Sequence, residues 1–302
     1  MTAAATQDGR GGDSYYGRPI LKEPVWKPTI PWYFFTGGLA GASSVLSYAA
    51  RRGGNVRLAR TSLGIAFAAE VASPGLLISD LGRPERFLNM LRVFKPTSPM
   101  SVGSWVLAVS GASTTASVAT RALGVLPRLQ RMSGTVSAGA GGPLAVYTAT
   151  LLSDTAIPVW HEGRRELPFV FAADSAASAG AAATLLLSPD DAAPARRLAI
   201  CGALAAEGLA EAMRSRLGLA GEVYGKGKAG RFDRLAKAAS LTGAALLFAG
   251  GRGRASAMAG SALVLGGGLA RRFSVFHAGF QSARDPRYTV DPQRARADDA
   301  RA

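Results

Sequence analysis

The sequence predicts an all-α, polytopic integral membrane protein with eight transmembrane helices, and three observations predict it. Charged residues make up only 18% of the 302 residues, against about 25% in a soluble domain. The uncharged residues gather in spans of membrane length. Ala and Gly supply 58 and 37 residues without any collagen-like period, so they belong to closely packed helices.

A helix needs roughly 20 mainly apolar residues to cross the hydrocarbon. Pro28 to Ala50 gives 23 residues without a charge, Pro96 to Thr120 gives 25, and Met132 to Ser153 gives 22. Thr61 to Ser79 gives 19, interrupted by Glu70 alone, and Leu167 to Pro189 contains only Asp174. Leu198 to Met213 holds Glu207 and Glu211. Ala238 to Gly251 is 14 uncharged residues, extended at its start if Arg234 and Lys237 snorkel. Ala255 to Ala270 gives 16 more. The expected helices are 30–50, 58–79, 99–121, 134–157, 168–188, 196–214, 234–251 and 255–274, in a membrane domain 28–277 between polar tails 1–27 and 278–302. No cleavable signal peptide is expected, which leaves insertion to the first helix. The GxxxG of Gly37 and Gly41 reads as a close helix contact.

With an even number of spans, both termini share a side with the loops after helices two, four and six. That side carries 24 of the 35 Lys and Arg and the other 11, so the positive-inside bias places both termini in the cytoplasm of a multi-pass cell-membrane protein. The net charge of +15 follows from this bias and the tails. It does not point to nucleic acid, because no basic patch is interleaved with aromatics. One Cys excludes a disulfide framework and any iron–sulfur cluster held by this chain alone. His161 and His277 both fall outside the expected spans, which argues against membrane haem.

Ionisable groups within spans are costly and count first as functional candidates. They are Glu70, Asp154, Asp174, Glu207 and Glu211, with Asp80 at a helix end. All fall in the half of the membrane nearer the termini, which suits a pocket entered from the lipid with proton exchange to one aqueous face. Structural alternatives stand beside these readings: Glu207 and Glu211 can pair with Arg214 or Arg216, Asp80 can cap the turn before Gly82 and Pro84, and Asp154 can be solvated. Glu70 is the hardest to explain structurally, with no other charge between Arg60 and Asp80. Tyr147 lies mid-helix in the fourth span, where a buried hydroxyl needs a partner.

The loop Asp80-Leu-Gly-Arg-Pro-Glu-Arg-Phe-Leu-Asn89, continuing through Pro96-Thr-Ser-Pro-Met-Ser101 to Trp105, resembles the NrfD-type membrane subunits of the polysulfide reductase family. Trp32-Tyr-Phe-Phe-Thr-Gly-Gly-Leu-Ala-Gly41 resembles their first helix, and Tyr147-Thr148 with Leu151 to Asp154 and Pro158-Val-Trp160 their fourth. Glu166 to Phe171 and Asp285 to Thr289 resemble short actinobacterial members. The resemblance implies two four-helix bundles without bound metal, haem or cluster. It also implies a quinone or menaquinone as diffusible substrate, a four-cluster ferredoxin-like iron–sulfur partner, and through it a molybdopterin catalytic subunit. By the same resemblance Glu70 and Tyr147 belong to the quinone and proton region, with Asp154, Trp32 and Tyr33 as further candidates. Arg83, Arg86, Arg92 and Lys95 are expected to steer the partner. The expected mechanism sets the head group between helices one, two and four, bonded by Tyr147, with Glu70 exchanging its proton and Asp154 linking it to water. An ion or small-solute carrier and a purely structural anchor are the other readings of the sequence.

Overall fold

The computed structural model describes residues 20–81, 83, 85–250 and 253–292, with the side chains of Arg86 and Leu88 outside that description. Parts of both expected tails, 1–19 and 293–302, also lie outside the described residues. Among the described residues every regular element is helical. Eight helices have 20 to 31 residues: α1 Thr29–Arg52, α2 Val56–Asp80, α4 Pro99–Ala122, α5 Pro127–Ser153, α7 Leu167–Leu186, α8 Ala193–Leu217, α9 Gly227–Ala249 and α10 Arg254–Arg284. At 1.5 Å per residue even 20 residues span about 30 Å, the thickness of the hydrocarbon layer. Short helices α3 Arg86–Met90 and α6 Pro158–Glu162 lie in the connections on the side of the termini.

Two of the long helices, Val56–Asp80 and Leu167–Leu186, are long and apolar enough to cross a membrane on length and composition. Ala, Gly, Ser and Thr dilute the others, and these small residues are spent on contact between helices. Gly41 and Gly141 meet so closely that a Cβ on either would run into the other's backbone carbonyl, which sets the crossing of α1 and α5. Gly37, the other member of the GxxxG pattern, has open space beside it, so Gly41 alone of that pair makes the contact. Gly243 and Gly260 do the same for α9 and α10, while between α7 and α8 Gly180 meets the backbone of Ala195 and Ala199 and Gly202 that of Ala173 and Ala177.

Helix ends are set locally. Asn55 accepts from the Leu58 amide at 2.9 Å as the cap of α2. Arg51 and Arg52 sit in the last turn of α1, where cations meet the negative end of the helix dipole. Several ends depart from the sequence expectation, among them the start of α9, at Gly227 rather than near 234. Helix α5 begins at Pro127 rather than near 134 and stops at Ser153, short of 157, because Asp154 leaves helical geometry before Pro158 opens α6. Helix α10 continues to Arg284 instead of ending near 274, because Gly279 lets the Trp160 ring lie against it and Ala278, Ser282 and Ala283 are buried there.

Helices α1, α2, α4 and α5 pack on one another, and α7 to α10 pack on one another, with α1 and α5 touching α7. The first core joins Tyr33, Phe34, Leu144, Leu152, Trp160 and Phe171.

Candidate functional site

A cavity of about 260 Å³ opens among α1, α2, α4 and α5 at the end of the helices nearer the termini. Its apolar walls include Ile30 and Phe34 of α1, Leu77 of α2, Met100 of α4 and Leu151 of α5. Its polar lining is short: Tyr33 of α1, Asp80 at the end of α2, Ser104 of α4 and Tyr147 of α5. An apolar pocket with a handful of placed polar groups is the usual form of a small-ligand site.

Local packing explains how each group arrives. The Tyr147 ring lies flat against α4 because residue 103 is Gly; an added Cβ would stand 3.1 Å from Cζ and closer still to Cδ2 and Cε2. The Tyr33 ring meets Tyr147 edge-on, with centroids 6.4 Å apart and planes at 70°. Ser98 caps α4, and the Ser101 hydroxyl accepts from the Lys95 amide at 3.0 Å while donating to the Val93 carbonyl at 3.1 Å. The 93–101 turn is thereby folded beside the cavity mouth. Asp80, at the end of α2, accepts from the Lys27 backbone amide at 2.8 Å, and Lys27 Nζ donates to the Ser79 carbonyl at 3.0 Å.

These bonds lay the segment before α1 across the mouth as a strap. Val25 and Trp26 line the cavity. Trp26 stacks on Trp160 at 5.4 Å, and the indole N–H of Trp160 donates to the Val275 carbonyl at 2.7 Å. Glu23 accepts from Arg284 Nε and Nη2 at 2.7 and 2.9 Å, and this bonded guanidinium holds its carboxyl below the usual carboxylate range.

Several candidates from the sequence stand elsewhere. Glu70 is buried but lies deeper than the cavity and outside its lining; Ser110 of α4 donates to its Oε1. Gly103 and Ser110 are seven residues apart, so the Glu70 partner sits roughly 10 Å further along α4 than the Tyr147 ring. Asp154 is exposed in the turn after α5 and does not reach the cavity. Trp32 is 46% exposed and meets Phe273 edge-on, because one residue turns the helix by about 100° away from the face that Tyr33 occupies. Arg83, Arg92 and Lys95 are exposed around the loop, beside exposed Val93 and Phe94. The Arg86 side chain lies outside the described residues. Asp80, named from the sequence among the acidic groups of one membrane half but not in the quinone region, lines the cavity, as does Trp26, which was not a candidate; Asp80 opens the loop string on which the resemblance rests.

The expectation of one acid-lined cleft is therefore corrected: the carboxylates named from the sequence form no single cleft, with Asp80 alone of them at the cavity and a second site of buried charge elsewhere. The second surrounds Arg271 and Arg272, counted among the loop charges of the sequence yet 2% and 1% exposed inside α10. Arg271 bonds Glu207 of α8 and lies 3.8 Å from Asp174 of α7 and 3.9 Å from Asp233 of α9. Arg272 lies 3.4 Å from Asp174, donates to Ser175 Oγ at 2.9 Å, and covers the Phe171 ring at 3.6 Å. Of the two expected partners of Arg214, Glu211 is bonded at 2.6 Å, whereas Glu207 goes to Arg271. No group of metal-binding side chains occurs among the described residues.

Residues 21–189 match the family described as polysulphide reductase, NrfD. The chain belongs to the NrfD family. It is an NrfD-type membrane subunit, and the family places it in a redox complex. The match runs from the strap to the end of α7 and contains the entire cavity lining. Arg271, Arg272, Glu207 and Asp233 lie beyond it, and Asp174 of that charged group falls within it. No curated protein matches the chain.

Proposed function

We propose that this NrfD-family chain binds quinone or quinol in the cavity and exchanges electrons with an iron–sulfur partner of a molybdopterin oxidoreductase, anchoring that complex to the membrane. One observation carries the reading: an apolar cavity of about 260 Å³ lined by two tyrosines and an aspartate. That is below the ~300–1,000 Å³ of pockets for drug-sized ligands and suits a single substituted ring whose tail leaves toward lipid. The eight long helices serve as eight transmembrane spans in two four-helix groups, with both termini cytoplasmic.

Quinol oxidation releases two protons and two electrons, and quinone reduction takes up the same. Tyr147, held by Gly103, donates a hydrogen bond to one quinone oxygen. Tyr33 addresses the ring from α1. Asp80 replaces Glu70 as the carboxylate at the head group, because Asp80 lines the cavity and Glu70 does not. Electrons leave or arrive over the adjacent 80–101 loop, where Arg83, Arg92 and Lys95 steer an acidic partner and exposed Val93 and Phe94 provide apolar contact. The test is binding of a quinol analogue to the purified chain, read by quenching of Trp26. Tyr147→Phe removes one hydrogen bond worth about 0.5–1.5 kcal/mol, so affinity falls two- to about tenfold. Equal affinity in wild type, Tyr147→Phe and Asp80→Asn, or no binding at all, rejects the assignment.

A further inference from the structure

Of the 11 Lys and Arg on the face opposite the termini, seven gather at two neighbouring turns. Arg51, Arg52, Arg57 and Arg60 flank the α1–α2 turn, and Arg121, Arg128 and Arg131 flank the α4–α5 turn. The carboxylates described on that face, Asp190 and Asp191, belong to the turn between α7 and α8. Arg57 bonds Asp191 at 2.8 Å, and the other six guanidiniums have no carboxylate partner among the described residues. Three of the six converge. Arg51 and Arg121 line a pocket of about 20 Å³ with Tyr48, Ser117 and Gln130. Arg51 lies over Gly134 of α5 there, close enough that a Cβ on that glycine would stand 2.9 Å from Nη1. Arg121 is near enough to Arg60 of α2 to feel its like charge.

Helix dipoles do not account for this gathering. They favour Arg51, Arg52 and Arg121 in the last turns of α1 and α4. They oppose Arg57 at the start of α2 and Arg128 at the start of α5, and neither first turn holds an acidic residue. Cations are also the disfavoured charge on this face under the positive-inside bias. Clustered guanidiniums without carboxylates call for an anion from outside the chain, and their depth says which. The 24 residues of α1 run for about 36 Å against a hydrocarbon layer of about 30 Å, so its last turn emerges at headgroup level. Val56, Leu123, Leu126 and Met132 are exposed beside the guanidiniums, where acyl chains begin.

We propose that Arg51, Arg60 and Arg121 hold the phosphate of an anionic phospholipid on the membrane face opposite the termini. The guanidinium fork matches phosphate oxygens and is the strong form of charge-assisted hydrogen bond. The small pocket admits about one water, so the phosphate sits at its mouth and the acyl chains lie against the exposed apolar side chains. A zwitterionic lipid would bring its own cation toward the six unpaired arginines. An anionic one brings none, and the site therefore selects for net negative charge.

The test uses the full chain purified in phosphate-free detergent buffer. Its probes are dioleoyl phosphatidylglycerol, dioleoyl phosphatidylcholine with the same chains, and inorganic phosphate. Native mass spectrometry reads the lipid retained, and thermal unfolding in phosphatidylcholine alone shows that each variant is folded. The native chain retains phosphatidylglycerol in preference to phosphatidylcholine, and inorganic phosphate does not displace it. Arg51→Gln and Arg121→Gln each weaken retention about fivefold, the effect of one cation beside an anionic lipid. Arg197→Gln removes an exposed cation from the same face, at the start of α8, and leaves retention unchanged. Equal retention of the two lipids by the native chain overturns the proposal, whatever the variants do. So does equal retention of phosphatidylglycerol in the native chain, Arg51→Gln and Arg121→Gln, or a loss as large in Arg197→Gln. Displacement by inorganic phosphate marks a site for the free anion and overturns the lipid assignment. No quinone is present and the cavity lies at the other end of these helices, so failure here leaves the cavity assignment standing.

Discussion

Replacing Gly103 by Ala isolates the role of one helix contact in the candidate site. An added Cβ would stand 3.1 Å from Tyr147 Cζ and nearer to two other ring carbons. Carbon atoms rest at about 3.5–4.0 Å, so the ring must retreat by roughly 1 Å or more. The Tyr33 ring stands 6.4 Å away between centroids, and since Tyr147 lines the cavity its movement alters the cavity wall. Overpacking of this kind costs about 1–3 kcal/mol, and the displaced hydroxyl forfeits its bond to the ligand. Gly111 supplies the control: it lies on the same helix, two turns away, with open space where a Cβ would go. Gly111→Ala gains up to about 1 kcal/mol of helix propensity. The assay pairs thermal unfolding in detergent with quinol-analogue binding by Trp26 quenching. Gly103→Ala lowers both stability and affinity, at least as far as Tyr147→Phe does for affinity, while Gly111→Ala lowers neither. Equal affinity and stability in all three proteins refutes the claim that Gly103 positions Tyr147.

Other outcomes follow from the same contacts. Arg271→Met removes the cation bonded to Glu207, and breaking a buried pair costs about 3–5 kcal/mol; Arg271→Met combined with Glu207→Leu recovers much of it, as a thermal double-mutant cycle in detergent will show. The Glu23 carboxyl has its acidity raised by Arg284 relative to the ordinary value of 4.5. Its tie to the strap is complete above that value and is lost as pH falls through the lower value of the folded state. Trp26 fluorescence therefore changes in acid in the native chain and is already changed at neutral pH in Glu23→Gln. Removing charge from the loop with Arg83→Ala, Arg92→Ala and Lys95→Ala together weakens association with an acidic iron–sulfur partner and flattens its salt dependence, without altering quinol-analogue binding.

Much of this protein was legible along the chain. Charge-free stretches mark where long helices run, because a membrane excludes charge and a helix satisfies its own backbone groups. The Asp80 to Ser101 string carries family membership, since loop chemistry survives as local sequence. Tyr33 and Tyr147 are candidates through the resemblance of their helices to the family, and both line the cavity with their rings in contact.

Tertiary structure decided which polar groups meet. Depth along a helix can be counted from sequence, but the face cannot, and a step of one residue turns a side chain by about 100°. So Trp32 faces outward while Tyr33 lines the cavity, and Glu70 turns to the Ser110 hydroxyl of α4 while Asp80, two helical turns and more beyond it, lines the cavity. Arg271 and Arg272 read as loop charges because their partners, Asp174, Glu207 and Asp233, come from three other helices. A buried charge is tolerated only where such partners converge, and that convergence is set by glycine contacts such as Gly180 with α8 and Gly243 with α10, which no single stretch of sequence contains.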